Sequence, residues 1–271
     1  MVELAIKIID KNQNVKLQNT GENEVTLIYT SEYVRGDIIR IESSVKNLHV
    51  ILQVDDALGP AFVYVAGDVN YNVPFGDKRI SYSPKVFCGS KHYLYARVAT
   101  RDEIKAYRNL ALNVADQPGE TDCYPHAAAN VETRGEAVFA ARNAIDGVVA
   151  NTSHGEWPFQ SWGINRQDDA TIMIDFGRRI VADRIILYTR ADFPHDNWWT
   201  QVTLSFSDGS CIDWQLKKSH KPHLLNFEKK IITWVRLSNL IKSDDPSPFP
   251  ALSQIEVYGT VFEEVQAVQI R

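Results

Sequence analysis

The sequence is short of cysteine and of long apolar runs. Its cysteines, Cys88, Cys123 and Cys211, are odd in number and widely spaced, which excludes a disulfide framework and a cysteine zinc motif and suits a reducing compartment. No apolar run reaches transmembrane length, so no membrane partner is expected. Polar and apolar residues alternate after Met1, unlike a secretory signal. We expect a cytoplasmic location, or an extracellular one if a signal was removed.

Basic residues are too few and too scattered for a nucleic-acid partner. The formal net charge is -5 at pH 7, and no run of Lys or Arg is longer than a pair. Nucleic-acid-binding proteins usually carry a basic patch, so no such partner is expected. Hydrophobic residues make up 44% of the chain and charged residues 23%, which is ordinary for a globular protein with a sizeable core.

Short catalytic motifs are also missing. The sequence has no His-Glu-x-x-His, Cys-x-x-Cys or Gly-x-Ser-x-Gly motif, and no glycine loop that would cradle a phosphate. Their absence favours binding over catalysis, and no residue is assigned a catalytic role.

Strand patterns dominate the first part of the chain. Short β-like runs separated by Asn and Gly turns predict strands at residues 2–8, 24–29, 37–41, 48–54, 61–65 and 93–98. One helix is predicted at residues 101–110, with Thr100 as its N-cap and Glu103 as the capping-box partner.

A polar segment at residues 113–122, which contains Pro118-Gly119, marks the predicted domain boundary. Alternating strand patterns resume after it, and several short strands separated by turns predict a sandwich or barrel. We therefore predict an all-β protein with two β-sandwich domains. The first covers residues 1–115 and ends in the short helix, the second covers residues 120–262, and residues 263–271 form a tail or a strand.

Turn residues in the second domain fix the direction of its strands. Asp208-Gly209 lies between two alternating runs and predicts a hairpin with a type I′ turn. Further turns are predicted at residues 177–182 and 228–230. If successive strands run antiparallel, four long loops meet at one end of the sandwich, at residues 151–170, 189–200, 217–222 and 239–253.

These four loops interleave aromatic residues with Arg, Asp, Asn and His. Aromatic rings suit the apolar faces of a sugar, and the planar polar groups suit its hydroxyls. Long loops on a rigid scaffold are also common places for binding residues. The loops therefore predict a binding site at this end of the second sandwich.

The second domain resembles a known family in the order of its motifs. These are Ala144-Ile145-Asp146-Gly147, then Asn151-Thr152 and a Trp, a strand at residues 171–177 ending Asp-Phe-Gly, Ser207-Asp208-Gly209, and Ile255-Glu256-Val257-Tyr258-Gly259. They resemble the discoidin domain of the galactose-binding-like superfamily, which includes many carbohydrate-binding modules. The resemblance covers about half the chain and implies a jelly-roll β-sandwich.

The resemblance implies a glycan as partner, bound at the rim formed by the loops. The candidate ligand-binding residues are His154, Glu156, Trp157, Arg190, Asp192, His195, Asp196 and Trp198. Arg190 either forks onto vicinal hydroxyls or pairs with Asp192 or Asp196 to hold its loop. Trp162 and Trp199 are expected to pack inward, since adjacent strand residues point to opposite faces.

The resemblance also implies a candidate structural Ca²⁺, because many family members carry one near the Asp-Gly turn. The implied ligands are Asp146, Thr152 and Glu256. The chain departs from the family pattern at Val148 and in its spacing to Asn151. The alternative is that Asp146 caps its own turn, and no cofactor is required for binding.

Two other functions stay open. Carboxylates of a glycosidase could come from Glu156, Asp192, Asp196, Asp244 and Asp245. Zinc could be held by His154 and His195, with Cys123 and His126 as further candidates. The first domain matches no family by its residues, and it is either a support or an interaction and assembly module. We predict a non-catalytic carbohydrate-binding protein.

Overall fold

The computed structural model describes residues 1–150, 157–191 and 196–263. Strands make up nearly half of these residues and form two β-sandwiches, so the predicted all-β class is confirmed. Helical structure in the described ranges comprises α1 (Arg101–Lys105) and 3₁₀ turns at Gly76–Lys78, Thr133–Gly135, Ala137–Phe139 and Ala141–Ile145. No helix in this described part is both long enough and apolar enough to cross a membrane.

The first sandwich and the connection after it contain the first ten strands. These are β1 (Glu3–Ile9), β2 (Val15–Glu22), β3 (Glu24–Tyr29), β4 (Ile38–Ser43), β5 (Leu48–Gln53), β6 (Ala61–Val65), β7 (Val69–Asn72), β8 (His92–Val98), β9 (Arg108–Asn109) and β10 (Cys123–Tyr124). One sheet has the order β2-β1-β4-β7 and the other the order β10-β6-β5-β8-β3. Alternate residues face the core, as the two-residue period of a strand requires.

The six predicted strands of this sandwich are confirmed to within two residues. Strands β2 and β7 are not predicted by the sequence pattern. Strand β2 lies at a sheet edge beside β1 and is exposed along nearly its whole length, so it has no apolar alternation. Strand β7 has only four residues, which is too short for a recognisable pattern.

Helix α1 begins as predicted and ends early. The Thr100 side chain accepts from the Glu103 backbone N–H, and the reciprocal bond completes the capping box. The predicted end at residue 110 is wrong, because Ala106 is already extended and β9 pairs with β17 (Ala251–Val261). Strand pairing from the second sandwich therefore overrides the local helix preference.

The connection between the sandwiches contributes to both cores. Leu110 and Ala111 lie in the core of the second sandwich, whereas Ala115 and Cys123 lie in the core of the first. Strand β10 also extends a sheet of the first sandwich by pairing with β6. The boundaries at residues 115 and 120 stay a prediction, and most of the predicted tail lies outside the described residues.

The second sandwich contains the remaining strands. They are β11 (His126–Ala129), β12 (Trp162–Gly163), β13 (Ile172–Thr189), β14 (Trp199–Phe206), β15 (Cys211–Gln215), β16 (His223–Lys242) and β17. Their order is β12-β17-β13-β16-β14-β15, with β11 on β13 and β9 on β17. The first residues of β13 pair with β11 and with the end of β16, and its later residues pair with β17 and with the start of β16.

The turns predicted at residues 177–182 and 228–230 are wrong. Strands β13 and β16 continue through these segments, and Ala182 there pairs with Lys230. The register shifts between Asp175 and Ile180, and Gly177 has a φ of 62°. This irregularity inserts extra residues into β13 without ending its pairing with β16, and such insertions bend a strand.

The hairpin between β14 and β15 is confirmed, but its predicted turn type is wrong. The Gly209 N–H donates to the Phe206 carbonyl at 3.0 Å, and Gly209 has a φ of 85°. A type I′ turn needs a positive φ at both central residues, and Asp208 does not adopt one. The Asp208 carboxylate instead accepts from the Ser210 backbone N–H at 2.9 Å.

Candidate functional site

The described parts of the four predicted loops lie together at one end of the second sandwich. Strand β17 joins two of them, because Leu252 pairs with both Trp162 and Thr189. The Thr189 hydroxyl donates to the Ser219 carbonyl at 3.0 Å, which adds the third loop. Lys218 forms an ion pair with Asp245 at 3.3 Å, which adds the fourth.

A pocket of about 200 Å³ opens among these loops. Arg190 and Asp196 are 2% and 5% exposed and line its interior. Arg166 and Phe249 also line it and are exposed to solvent. We call this cavity the rim pocket. It combines a buried charged interior with an aromatic ring at its opening.

The interior of the rim pocket is fixed by an ion pair. Arg190 Nε lies 3.1 Å from an oxygen of Asp196, with both side chains buried. Arg190 Nη1 also donates to the Phe159 carbonyl at 2.6 Å. Two candidate site residues are thus brought together, in the pairing that would hold the loop. A buried, hydrogen-bonded ion pair of this kind has little freedom to move.

Asn197 holds two of the loops together and is not predicted by the sequence. It is fully buried, and its amide nitrogen donates to the Ser247 carbonyl at 2.6 Å. Its amide oxygen accepts from the Trp198 backbone N–H at 2.6 Å and from the Ser243 hydroxyl at 2.7 Å. Because Asn is common in loops, its identity alone does not indicate this role.

The opening of the rim pocket also has a feature that the sequence does not predict. The Arg166 guanidinium carbon lies 4.7 Å from the centre of the Phe249 ring. Arg166 and Asn165 have φ values of 62° and 49°, a region that non-glycine residues adopt at a cost of about 1–3 kcal/mol each. The Asn165 N–H donates to the Thr133 hydroxyl at 2.9 Å, which helps to hold this backbone.

The tryptophans divide as predicted between core and surface. Trp162 and Trp199 are buried in the core, with ring centres 6.4 Å apart, so their inward packing is confirmed. Trp198 is half-buried, and Trp157 is 38% exposed. Both stay candidates for ligand contact.

Several candidate residues cannot be located. Thr152, His154, Glu156, Asp192 and His195 lie outside the described residues. The proposed roles of these five residues therefore stay predictions from the sequence.

Two of the candidate calcium ligands, Asp146 and Glu256, lie in the described residues. Asp146 accepts from the Val148 N–H at 2.8 Å and from the Gln160 amide at 3.0 Å, one bond on each oxygen. Burial raises its pKa to about 6. Glu256 lies on β17 and interacts with Tyr258 instead. Asp146 thus caps its own turn. A calcium shell needs six or more oxygens, and with Thr152 outside the described residues the calcium site stays a prediction.

A second concave region lies beside the connection between the sandwiches. This cleft of about 900 Å³ is lined by carboxylates and by His126. His126 Nδ1 lies 2.7 Å from the buried carboxylate of Asp116. Burial lowers the pKa of His126, but the bond and charge of Asp116 outweigh it and raise the pKa overall. The sequence does not predict this pair, because no local pattern links two residues ten positions apart.

The zinc interpretation of Cys123 is not supported by its surroundings. Burial raises the pKa of the Cys123 thiol to about 12, whereas zinc binds the thiolate. Across residues 1–150, 157–191 and 196–263, no three or more His, Cys, Asp or Glu side chains are grouped to hold a metal ion.

The chain is similar to solved carbohydrate-binding modules at low identity. A chitosan-binding module from a chitosanase/glucanase of Paenibacillus sp. IK-5 is 21% identical, with 56% of this chain and 98% of the module covered and a TM-score of 0.39. A fucose-binding module of Streptococcus pneumoniae is 17% identical, with 57% and 98% covered and a TM-score of 0.39. The lectin domain of lectinolysin, in complex with Lewis B antigen, is 17% identical, with 56% and 97% covered and a TM-score of 0.42.

Identities and scores this low do not assign a ligand. No curated protein matches the chain. One family model covers residues 122–258, just over half of the sequence and nearly all of the second sandwich. The chain therefore belongs to the family described as "Domain of unknown function (DUF7402)".

Proposed function

We propose that the protein binds a glycan at the rim pocket and does no chemistry on it. The observation that carries the proposal is the fixed Arg190–Asp196 pair inside a small pocket with Phe249 at its opening. A sugar offers apolar C–H faces to an aromatic ring and hydroxyls to charged and amide groups. The rim pocket presents both kinds of partner within one cavity.

The size of the rim pocket suits one sugar ring. Its volume of about 200 Å³ is below the range of about 300–1,000 Å³ that encloses a drug-sized ligand. We therefore propose recognition of a terminal sugar residue, with the rest of the glycan in solvent. Such a contact buries limited area and exchanges water hydrogen bonds for protein ones, so micromolar or weaker affinity is expected.

Phe249 and Arg166 are the proposed ligand contacts, with Trp157 and Trp198 as further candidates. A glycan array tests this with the wild-type protein and with Phe249→Ala. Arg236→Ala is the matched control, since Arg236 is an exposed arginine over the Trp234 ring at 5.2 Å and does not line the pocket. We expect the wild type and the control to bind the same glycans and the Phe249 variant to bind them more weakly.

Catalysis by the rim carboxylates is the alternative to be separated from binding. A glycosidase needs a pair of carboxylates, and Asp196 is the described rim carboxylate that lines the pocket, where it pairs with Arg190. Incubating array-positive glycans with the protein and analysing the products tests this directly. Products that disappear in Asp196→Asn, with glycan binding retained, would favour an enzyme.

A further inference from the structure

Three basic side chains meet where the two sandwiches touch. Arg108 lies on β9, Arg178 on β13 and His49 on β5, and all three lie against Phe62 of β6. The guanidinium carbons of Arg108 and Arg178 are 4.3 Å and 5.8 Å from the Phe62 ring centre. The His49 ring is stacked on Phe62 at 5.4 Å. We call this group the junction cluster.

The junction cluster has four buried nitrogens without hydrogen-bond partners in the described structure. They are Nε of Arg108, Nε and Nη2 of Arg178, and Nε2 of His49. Other nitrogens of the same arginines are satisfied, because Arg108 Nη2 donates to the Glu103 carbonyl at 2.7 Å and Arg178 Nη1 donates to the Phe176 carbonyl at 2.9 Å.

Stacking on Phe62 does not satisfy these nitrogens. A guanidinium that lies over a ring uses its face for that contact, whereas its N–H bonds lie in its own plane. Buried polar groups in proteins are hydrogen-bonded in roughly nine cases out of ten or more. Four such donors in one cluster therefore make it a candidate site for an acceptor from outside the chain.

The carboxylate whose charge acts on Arg108 is that of Glu103, which already pairs with Arg97. Neither Arg108 nor Arg178 forms an ion pair with a carboxylate in the described part of the chain. Burial, and then the charge of Arg108, lower the pKa of Arg178 to about 10, so it stays cationic at neutral pH. Burial and the charge of Arg178 lower the pKa of His49 to about 4, so His49 is neutral there and can donate through Nε2. The cluster thus carries two positive charges.

We propose that the junction cluster binds a small oxyanion, phosphate or sulfate, held by Arg108 and Arg178 with His49 as a third donor. Tetrahedral oxyanions match the forked donors of arginine, and a dianion balances the two charges. The four nitrogens are shielded from solvent, which favours an inorganic ion over a larger phosphate ester. The site is separate from the rim pocket, since none of its residues lines that pocket.

Thermal unfolding in phosphate, in sulfate and in chloride at equal ionic strength tests this proposal. We expect phosphate and sulfate to raise the wild-type melting temperature by about 5 °C with saturation at millimolar concentration, and glycerol phosphate to have a smaller effect. Arg178→Gln and Arg108→Gln should each abolish the saturable part. Arg236→Gln, which alters an exposed arginine stacked on Trp234, should keep it.

The readout is the response to the anion, so a change in basal stability does not affect it. Sulfate and phosphate also stabilise proteins without binding a site, and that general effect is the same in every variant. Equal responses in the wild type and both cluster variants, or no saturable response in the wild type, would overturn the proposal. If Arg178→Gln does not fold, Arg108→Gln gives the same test from the other strand.

Discussion

At the residue scale, Arg190 has a structural role that limits its use as a probe of ligand binding. Its guanidinium is buried and joins Asp196 to the Phe159 carbonyl. Removing one member of a buried ion pair leaves the other charge uncompensated. Loss of binding in an Arg190 variant would therefore not distinguish a ligand contact from a collapsed pocket, which is why Phe249 and Arg166 are better probes.

Arg190→Ala is expected to lower the free energy of unfolding by about 3–5 kcal/mol, because Asp196 is left buried and unpaired. Urea denaturation measures this, and Arg236→Ala is expected to stay within about 0.5 kcal/mol of the wild type. If Arg190→Ala keeps wild-type stability and loses glycan binding, Arg190 is a direct ligand contact and the ion pair is not a structural element.

Asp146 gives a second prediction at the residue scale, on pH. Burial raises its pKa from 3.8 to about 6, so the folded state holds the proton more tightly than the unfolded state. The contribution of Asp146 to the free energy of unfolding is complete below about pH 4 and is lost as the pH rises through about 6. A shift of about two pKa units corresponds to a loss of about 3 kcal/mol. Asp146→Asn should remove that fall.

Urea denaturation of both proteins between pH 4 and pH 7 provides the measurement for Asp146. The wild type and Asp146→Asn have all other titrating groups in common. The difference between their curves of unfolding free energy against pH therefore reports Asp146 alone. Parallel curves would mean that Asp146 has an ordinary pKa, as it would if a cation were bound beside it.

At the element scale, the sequence predicts the strands in which apolar residues alternate. It does not predict strands that are polar or bent. The period of two in residues 24–29 and 61–65 predicts β3 and β6 to the residue. Gly177-Arg178-Arg179 has the composition of a turn, yet β13 continues through it because β16 pairs with β13 both before and after this segment. Long-range pairing of this kind leaves no local pattern.

The bend in β13 predicts different costs for two glycines with positive φ. A Cβ at Gly177 would lie 2.4 Å from the Tyr124 ring, whereas a Cβ at Gly209 would meet nothing within 4 Å. Gly209→Ala should cost about 1 kcal/mol from backbone strain alone, and Gly177→Ala should cost at least about 1–3 kcal/mol more because the ring must move. Calorimetric melting of both variants measures the two losses of unfolding free energy. Equal losses would show that the Tyr124 ring does not resist a Cβ at residue 177.

The site follows the same rule as the strands. Arg190, Asp196, Trp157 and Trp198 are identifiable because charged and aromatic residues in long loops are informative. Arg166 and Phe249 are not, because their proximity depends on the left-handed backbone at Asn165 and on where two distant loops meet.

At the scale of the whole molecule, the two sandwiches are interlocked by the chain between them. The connection contributes to both cores. Arg142 is buried beside the first sandwich, with its guanidinium carbon 4.4 Å from the Tyr82 ring centre and its Nε donating to the Asp116 carbonyl at 2.9 Å. Unfolding of either sandwich alone would expose these shared contacts.

We therefore expect the full chain to unfold in a single transition, with equal calorimetric and van't Hoff enthalpies. Differential scanning calorimetry at constant pH and anion concentration measures both quantities. Two resolved transitions would show that the sandwiches are thermodynamically independent despite the shared connection.

Isothermal titration calorimetry with the glycan that binds most strongly on the array tests glycan binding at the rim pocket most directly. We predict that Phe249→Ala weakens binding about tenfold or more, the equivalent of about 1.4 kcal/mol, with an unchanged melting temperature. Arg236→Ala should keep the wild-type affinity. Wild-type affinity in Phe249→Ala, or no glycan bound by the wild type, would contradict it.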